Sequence, residues 1–296
     1  MREHANGHHC DHSGRTSAGP GHPTVSLTSF LLLVGLGALV GIFGTLVGAG
    51  GGFILTPVLL LLYPADTAAT ITAISLVVVF FNALSGSLAY AWQRRIDYRA
   101  GSAFALATIP GAVAGALLVG VAPRRLFDAA MACLLGGLAT WLISGGRGER
   151  AGSGTSDGAR RVLTDQSGTT YRYSVRTWSG VGYSLAVGFV SSFLGIGGGI
   201  LHVPLLVRAL GFPVHVATAT SHFVLANMAG VGTITHIATG SFHSGGVHRS
   251  VALSIGVVGG AQAGAWLSRR TRGVVIQRLL AVALAVLAVR LVLSVV

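Results

Sequence analysis

The segment Gly195–Pro204 reads G-I-G-G-G-I-L-H-V-P and lies inside a long apolar run, and a near copy, Gly48–Pro57, reads G-A-G-G-G-F-I-L-T-P. Each glycine costs a helix about 1 kcal/mol relative to alanine, so three in a row predict that the helix breaks there. In a bilayer, backbone outside a helix is tolerated only where protein or a wet cavity satisfies its polar groups. Two such breaks, one in each half, are typical of a transporter's substrate site.

The composition is that of a membrane protein. Of the 296 residues, 52% are hydrophobic and 9% are charged, whereas about a quarter of a soluble domain is charged. The length allows roughly eight to ten spans of about 20 residues. The 20 basic residues are all arginine and outnumber the 8 acidic ones. Because they lie in short gaps between apolar runs, they predict orientation in a membrane rather than binding of nucleic acid.

The sequence divides into four regions. We predict a His-rich polar tail (1–26), a first transmembrane repeat (27–144), a cytoplasmic linker rich in Gly, Ser, Thr and Arg (145–176), and a second transmembrane repeat (177–296). The two glycine segments align, as do Ala69-Thr70 with Ala217-Thr218. The expected fold class is all-α: a polytopic transmembrane bundle of two homologous halves, each with a glycine-broken helix.

Two topologies compete for the halves. If each broken run crosses the membrane once, every half has four spans and the halves are parallel. If the run enters, turns at the glycines and returns, the repeats are inverted. The inverted arrangement places the linker and the Arg-rich loops 93–99 and 268–273 on one side, although Arg124 and Arg125 count against it. The positive-inside rule therefore favours inverted repeats.

Helix ends that meet at a glycine break predict an anion site, because they present free backbone N–H groups and a positive dipole end. The prolines beyond each break remove a further helical hydrogen bond, and neighbouring hydroxyls are neutral donors that suit an oxyanion. The candidate substrate-binding residues are Gly48, Gly50, Gly51, Gly52, Pro57, Thr70, Thr72, Gly195, Gly197, Gly198, Gly199, Pro204, Thr218, Thr220 and Ser221. By contrast, the pairs Gly37/Gly41, Gly111/Gly115 and Gly260/Gly264 predict close helix packing.

Three histidines, His202, His222 and His236, lie within apolar runs. Ionisable residues in a membrane are functional candidates, so His222 or His236 could carry a coupling proton. The alternative is a neutral histidine that hydrogen-bonds across helices. No Asp or Glu follows Asp165, which argues against a carboxylate-lined cation path and favours an anionic substrate.

Signatures of an enzyme are absent from the sequence. There is no lysine, hence no Walker A motif, and neither H-E-x-x-H nor a paired C-x-x-C occurs. We therefore predict that the protein is not an enzyme and has no bound cofactor. Its expected partners are a small anionic substrate and the lipid bilayer, with no nucleic acid, and its oligomeric state stays open.

The paired G-x-G-G-G-x4-P motifs, each following an apolar helix and preceding a helix rich in A-T and T-S, resemble those of the TauE/SafE-type sulfite exporter family. The resemblance covers residues 28–143 and 178–295. It implies a multi-pass permease of the cell membrane that moves sulfite, thiosulfate, sulfonates or related anions. It also implicates the glycines and the proline of both motifs in that activity.

The N-terminal tail supports an alternative function. His4, His8, His9 and His12 form a compositional cluster of weak metal-ligand candidates. On this interpretation the chain is a metal-ion permease or a metal-responsive membrane protein. The plainer interpretation is a solvated tail whose histidines bind nothing.

Overall fold

The computed structural model describes residues 27–144, 159–242 and 245–272, together with scattered positions between 274 and 289. It is a helical bundle, which confirms the predicted all-α class. The described helices are α1 (Leu27–Val47), α2 (Gly52–Leu62), α3 (Ala68–Trp92), α4 (Tyr98–Leu118), α5 (Arg124–Ser144), α6 (Thr177–Leu194), α7 (Gly199–Arg208), α8 (Val214–Ala238) and α9 (Gly246–Arg270).

Four of these helices, α1, α3, α4 and α9, are long and apolar enough to cross a membrane. Helix α8 has the same length as α3, 25 residues, but its histidine and threonine residues make it less apolar. At about 1.5 Å per residue, a helix of this length exceeds the ~30 Å hydrocarbon thickness of a bilayer. Helices α2 and α7, with 11 and 10 residues, are too short to span one.

In the first half, α1 and α3 run in the same direction. Gly37 lies against the carbonyl of Leu253 and Gly41 against that of Val257, so α1 is parallel to α9. Helix α3 is also parallel to α9, since Gly246 faces Thr70 and Ile74 while Gln93 donates to the Ala265 carbonyl at 3.2 Å. Because α1 and α3 are parallel, the short α2 between them must return the chain to the end where α1 began.

The second half repeats this pattern in the opposite direction. Helix α6 is parallel to α4, with Gly111 against Leu185 and Gly115 against Phe189. Helix α8 is antiparallel to α3, with Gly86 against His222 and Gly232 against Leu76. The halves are therefore inverted relative to each other, the arrangement that the charge pattern favours. The broken runs α1–α2 and α6–α7 enter the bundle from opposite ends.

One end of the bundle carries most of the arginines. The α3–α4 loop and the C-terminal turn of α9 lie there, side by side. Arg124 lies at the other end, where it pairs with Asp128 at 3.1 Å and donates to the Asp66 carbonyl. Since the positive-inside rule counts arginines rather than net charge, Arg124 still counts against the predicted orientation despite this ion pair.

Close helix contacts are made through the glycines for which the sequence predicts packing. A Cβ added at Gly41 would lie 2.7 Å from the Val257 carbonyl oxygen, and Gly111, Gly115, Gly260 and Gly264 are similarly confined by backbone of the facing helix. Each half thus packs its broken run against the fourth helix of the other half, α1 on α9 and α6 on α4. These contacts between the halves hold them together in one bundle.

The segment predicted as an irregular linker contains a β-hairpin. Strands β1 (Ala159–Thr164) and β2 (Thr170–Val175) pair antiparallel, with Ala159 opposite Val175. Tyr173 and Val175 alternate with more exposed neighbours and are buried against Phe212 and Leu210. Sequence analysis missed this short alternation because glycine, serine and arginine dominate the surrounding segment.

Ion pairs fix the hairpin to the α3–α4 loop. Arg161 contacts Asp97 at 3.3 Å and Arg95 contacts Asp165 at 3.1 Å, while the Tyr173 hydroxyl donates to Asp97. Burial raises the pKa of Asp165, but hydrogen bonds from Ser167 and Thr169 and the Arg95 guanidinium outweigh it, so this pKa lies below its usual value. Burial, reinforced by the Asp97 carboxylate, raises the pKa of Tyr173.

The helix packing predicts that alanine substitution at two adjacent glycines of α9 affects thermal stability differently. A Cβ at Gly260 would overlap the Ala38 carbonyl, whereas one at Gly259 would meet nothing within 4 Å. We expect Gly260→Ala to separate α1 from α9 and lower the thermal midpoint of the purified protein by several degrees, from a loss of about 1–3 kcal/mol. Gly259→Ala is the matched control and should leave the midpoint unchanged or raise it. Equal midpoints for both variants would contradict this packing.

Acid should release the hairpin only far below neutral pH. Because the folded pKa of Asp165 is depressed below its usual 3.8, the stability it contributes is present above that value and is lost as pH falls further. We expect hydrogen exchange of the hairpin amides to stay slow from about pH 8 to about pH 5, after correction for the intrinsic rate. Asp165→Asn should accelerate it at neutral pH. If hydrogen exchange of the wild-type hairpin amides accelerates between about pH 7 and pH 5, a titratable group other than Asp165 holds the hairpin in place.

Candidate functional site

The helices end and restart at the two glycine segments. Helix α1 ends at Val47 and α2 begins at Gly52, while α6 ends at Leu194 and α7 begins at Gly199. The first, third and fourth positions of each motif have positive φ, a backbone conformation that favours glycine. The values are +84°, +74° and +79° for Gly48, Gly50 and Gly51, and +67°, +74° and +51° for Gly195, Gly197 and Gly198.

The fifth position of each motif requires glycine for a different reason. A Cβ added at Gly52 would lie 2.6 Å from the Ile196 carbonyl oxygen, and one added at Gly199 would lie 2.5 Å from the Gly48 carbonyl oxygen. The two breaks therefore touch each other through their backbones. Every residue in both is buried, so this contact lies inside the bundle.

Three carbonyl groups at the end of α1 have hydrogen-bond donors. The N–H groups of Ala49 and Gly50 donate to the Gly44 carbonyl at 2.8 and 3.1 Å. The Tyr90 hydroxyl donates to the Thr45 carbonyl at 2.7 Å, and Ser221 donates to the Gly48 carbonyl at 3.2 Å. These donors occupy acceptors that would otherwise attract a cation.

Donors reach the end of α6 in a similar way. Ile196 donates its N–H to the Ser191 carbonyl, and the hydroxyls of Ser75 and Thr56 donate to the Gly195 carbonyl at 2.6 and 2.9 Å. Ser75 on α3 and Ser221 on α8 thus perform the same task at opposite breaks.

This symmetry corrects the internal alignment made from sequence. The sequence matches pair Thr70 with Thr218, but the structure pairs Thr72 with Thr218. A Cβ added at Gly195 would lie 2.9 Å from the Cα of Thr72, and one added at Gly48 would lie 2.9 Å from the Cα of Thr218. Because α2 is one residue longer than α7, the spacing from the glycine segment to the next long helix is one residue longer in the first half. The sequence matches make this spacing one residue longer in the second half instead, so the two alignments differ by two residues.

Several hydrogen-bond donors at the two breaks have no acceptor. Among the described residues, the N–H groups that open α2 and α7 have no hydrogen-bond acceptor at Gly51, Gly52 and Phe53 or at Gly197, Gly198 and Ile200. Four buried hydroxyls near the breaks also lack a partner within the described part of the chain: Thr72, Thr218, Ser191 and Ser192. Each buried donor without an acceptor destabilises the fold by about 1–3 kcal/mol. An anion bound between the breaks would accept from these donors, so the set is suited to an anion.

The predicted site residues divide by location. Thr72, Thr218, Ser221 and the glycines lie at the breaks, and Pro57 and Pro204 lie inside α2 and α7. Two others are not brought there. Thr70 donates to the Ser241 carbonyl at the start of α3, and Thr220 accepts the N–H of Asp97 beside the α3–α4 loop.

Sequence analysis missed Ser191 and Ser192, although both stand just before the second glycine segment. The Ser191 hydroxyl lies 3.3 Å from where a Cβ at Gly198 would be, and the Ser192 hydroxyl is equally close to that position at Gly232. Both serines lie in the last turn of a helix that ends at a glycine break, and this position could have identified them as site candidates. The homologous turn of α1 carries Gly44 and Thr45 instead.

The three intramembrane histidines all hydrogen-bond to hydroxyls. His222 contacts Thr45 Oγ1 at 3.3 Å, His236 contacts Ser241 Oγ at 3.1 Å, and His202 contacts Ser184 Oγ at 3.2 Å. His222 belongs to a buried cluster next to the first break, because Thr45 also donates to Asn82 Oδ1 at 2.9 Å. His236 lies at the C-terminal end of α8, and His202 bonds α7 to α6.

The metal candidates His4, His8, His9 and His12 lie outside the described residues. Within the described ranges, no three His, Cys, Asp or Glu side chains come together to hold a metal ion.

Comparison with known proteins agrees with this architecture. The sequence model of the sulfite exporter TauE/SafE family matches residues 33–291. The chain is 31% identical over 252 residues to the probable membrane transporter protein YunE of Bacillus subtilis, covering 82% of this chain and 89% of that protein. No solved structure matches it.

More distant relatives carry the same description. A probable membrane transporter protein of Xylella fastidiosa is 29% identical over 73% of this chain and 74% of its own length. Probable membrane transporter protein MJ0441 of Methanocaldococcus jannaschii is 27% identical over 70% of this chain and 72% of its own. All three relatives are named as probable membrane transporters. The chain is a multi-pass membrane protein and belongs to the TauE/SafE sulfite exporter family of membrane transporters.

Proposed function

We propose that the protein is a secondary transporter of small sulfur-containing anions, such as sulfite, thiosulfate or sulfonates, and that the anion binds between the two glycine breaks. The observation that carries this proposal is the set of unpaired hydrogen-bond donors there. Among the described residues, six backbone N–H groups and four hydroxyls lack acceptors, while the carbonyls of Gly48 and Gly195 already accept hydrogen bonds from hydroxyls. An oxyanion supplies several acceptor oxygens at once.

The helix dipoles support the same sign of charge. Helices α2 and α7 both begin at the centre of the bundle and run outward, so their positive ends converge on the breaks. Burial of both breaks strengthens this field, because little water is present to screen it. Arg208 is exposed in the last turn of α7, away from the breaks. Backbone dipoles and hydroxyls rather than a guanidinium would hold the cargo.

The inverted repeats suggest how access alternates. The broken runs enter from opposite ends and meet where Gly52 packs on Ile196 and Gly199 packs on Gly48. In the conformation described, both breaks are buried, so the site is closed to both sides. Rocking one broken run and its partner helix against the other would open one side at a time.

His222 is the better of the two candidates for a coupling proton. It lies beside the first break and contacts Thr45, whereas His236 lies near the end of α8. The equivalent of Asn82 in the second half is Met228, so the Thr45–Asn82–His222 cluster lacks this amide in the opposite half. Protonation at this cluster would add one positive charge on one side of the anion site.

Removal of the unpaired hydroxyls should weaken transport. We expect Thr72→Val and Thr218→Val each to raise the half-saturating concentration of labelled sulfite or thiosulfate in proteoliposomes about tenfold or more, since a hydrogen bond to a charged group contributes about 1.5–3 kcal/mol. Thr108→Val is the matched control, because Thr108 is equally buried but donates to its own helix at Ala105. Unchanged saturation in both test variants, with active wild type, would remove these hydroxyls from the site.

Proton coupling can be tested separately at His222. Glutamine at this position retains a hydrogen-bonding side chain for Thr45 but cannot carry a proton at neutral pH. We expect His222→Gln to abolish the response of uptake to an imposed pH gradient while exchange of anion across the membrane continues. A gradient response equal to that of the wild type would exclude His222 as the coupling group.

A further inference from the structure

We propose that the protein has a second anion site at the hairpin end of the bundle, which binds a small phosphorus or sulfur oxyanion that retains a hydroxyl group. A polar cavity of about 360 Å³ opens there between the hairpin turn, the end of α3 and the last turn of α9. It is lined by Gln93, Arg95, Asp165, Gln166, Ser167 and Arg269. This second site does not depend on the cargo proposed above.

Arg95 supplies a buried and partly unused guanidinium. Its side chain is 8% exposed. Its Nε and Nη2 atoms donate to Asp165 Oδ2 at 3.2 and 3.1 Å, and its Nη1 group has no partner within the described residues. Buried guanidinium N–H groups are rarely left unpaired, and a planar fork of this kind suits an oxyanion.

Asp165 does not repel an anion strongly, because its oxygens are already engaged. Oδ2 accepts from Arg95, and Oδ1 accepts from the N–H and hydroxyl of Ser167 and from the N–H of Thr169. Arg269 adds a second guanidinium at the C-terminal turn of α9. Two guanidiniums and one carboxylate leave the cavity with a net positive charge.

Gln93 indicates that the ligand carries a hydrogen-bond donor. Its Nε2 donates to the Ala265 carbonyl at 3.2 Å, so its Oε1 is an acceptor, and this buried atom has no partner among the described residues. A fully deprotonated anion offers nothing to an acceptor. A singly charged oxyanion with a hydroxyl group can donate to Gln93 while it accepts from Arg95 and Arg269.

The cavity is separate from the glycine breaks. Asn82 adjoins the first break through Thr45, and Gln93 lies 11 residues further along the α3 axis, about 16 Å away. The hairpin turn forms one wall of the cavity, so a bound anion would bridge the turn to α9 and hold the hairpin against the α3–α4 loop. The site would therefore couple anion concentration to docking of the hairpin.

The test compares Arg269→Gln with Arg270→Gln. Arg270 is the matched control, since it stacks on Trp266 with 4.1 Å to the ring centroid and does not line the cavity. Each protein is placed in phosphatidylcholine nanodiscs at near-neutral pH and titrated with inorganic phosphate. We expect phosphate to slow hydrogen exchange of residues 165–169 in the wild type and in Arg270→Gln, with affinity at least about tenfold weaker in Arg269→Gln.

A second arm identifies the source of the oxyanion. If phosphate has no effect but nanodiscs with phosphatidylglycerol protect residues 165–169 in an Arg269-dependent manner, the ligand is a lipid headgroup and the site stands. Equal protection in both variants, or no protection by phosphate or by phosphatidylglycerol, would overturn the proposal. Transport in the Thr72 and Thr218 variants is measured independently, so failure of the cargo proposal is distinguishable from failure of this site.

Discussion

The architecture depends on one constraint: two polypeptide turns meet inside a bilayer with no room for a side chain between them. Gly52 packs on the backbone of Ile196 and Gly199 packs on the backbone of Gly48. Each turn also needs three positive φ angles, which disfavours other residues at the first, third and fourth positions of the motif. Close packing thus explains the fifth glycine, and backbone conformation explains the other three.

Breaking two helices inside a membrane creates polar groups that must be satisfied. Hydroxyls from the facing long helices donate to two of the carbonyls, with Ser75 on Gly195 and Ser221 on Gly48. The N–H groups that open α2 and α7 are left over. In the proposed transport site, these donors hold the anion without a guanidinium. Because the halves are inverted, the proposed mechanism exposes these donors to either side by the same kind of movement.

Much of this could be predicted from sequence because glycine clusters and apolar runs have few structural solutions in a membrane. The breaks, the inverted halves and the packing glycines all follow from such patterns. The register of α3 against α8 did not, since Thr70 and Thr72 are indistinguishable by residue type and only the lengths of the short helices decide between them. The hairpin was missed because its stability comes from contacts with distant residues, such as Tyr173 with Asp97 and Phe212.

The most direct test of the central claim is to locate the bound anion. A structure determined with thiosulfate, with the sulfur atoms identified by their anomalous scattering, would show where the cargo lies. If the unpaired donors hold the anion, sulfur density will lie between the N-termini of α2 and α7, with oxygens in contact with the Thr72 and Thr218 hydroxyls. Density confined to other regions of a fully occupied complex would contradict this placement, and the glycine breaks would then serve packing alone.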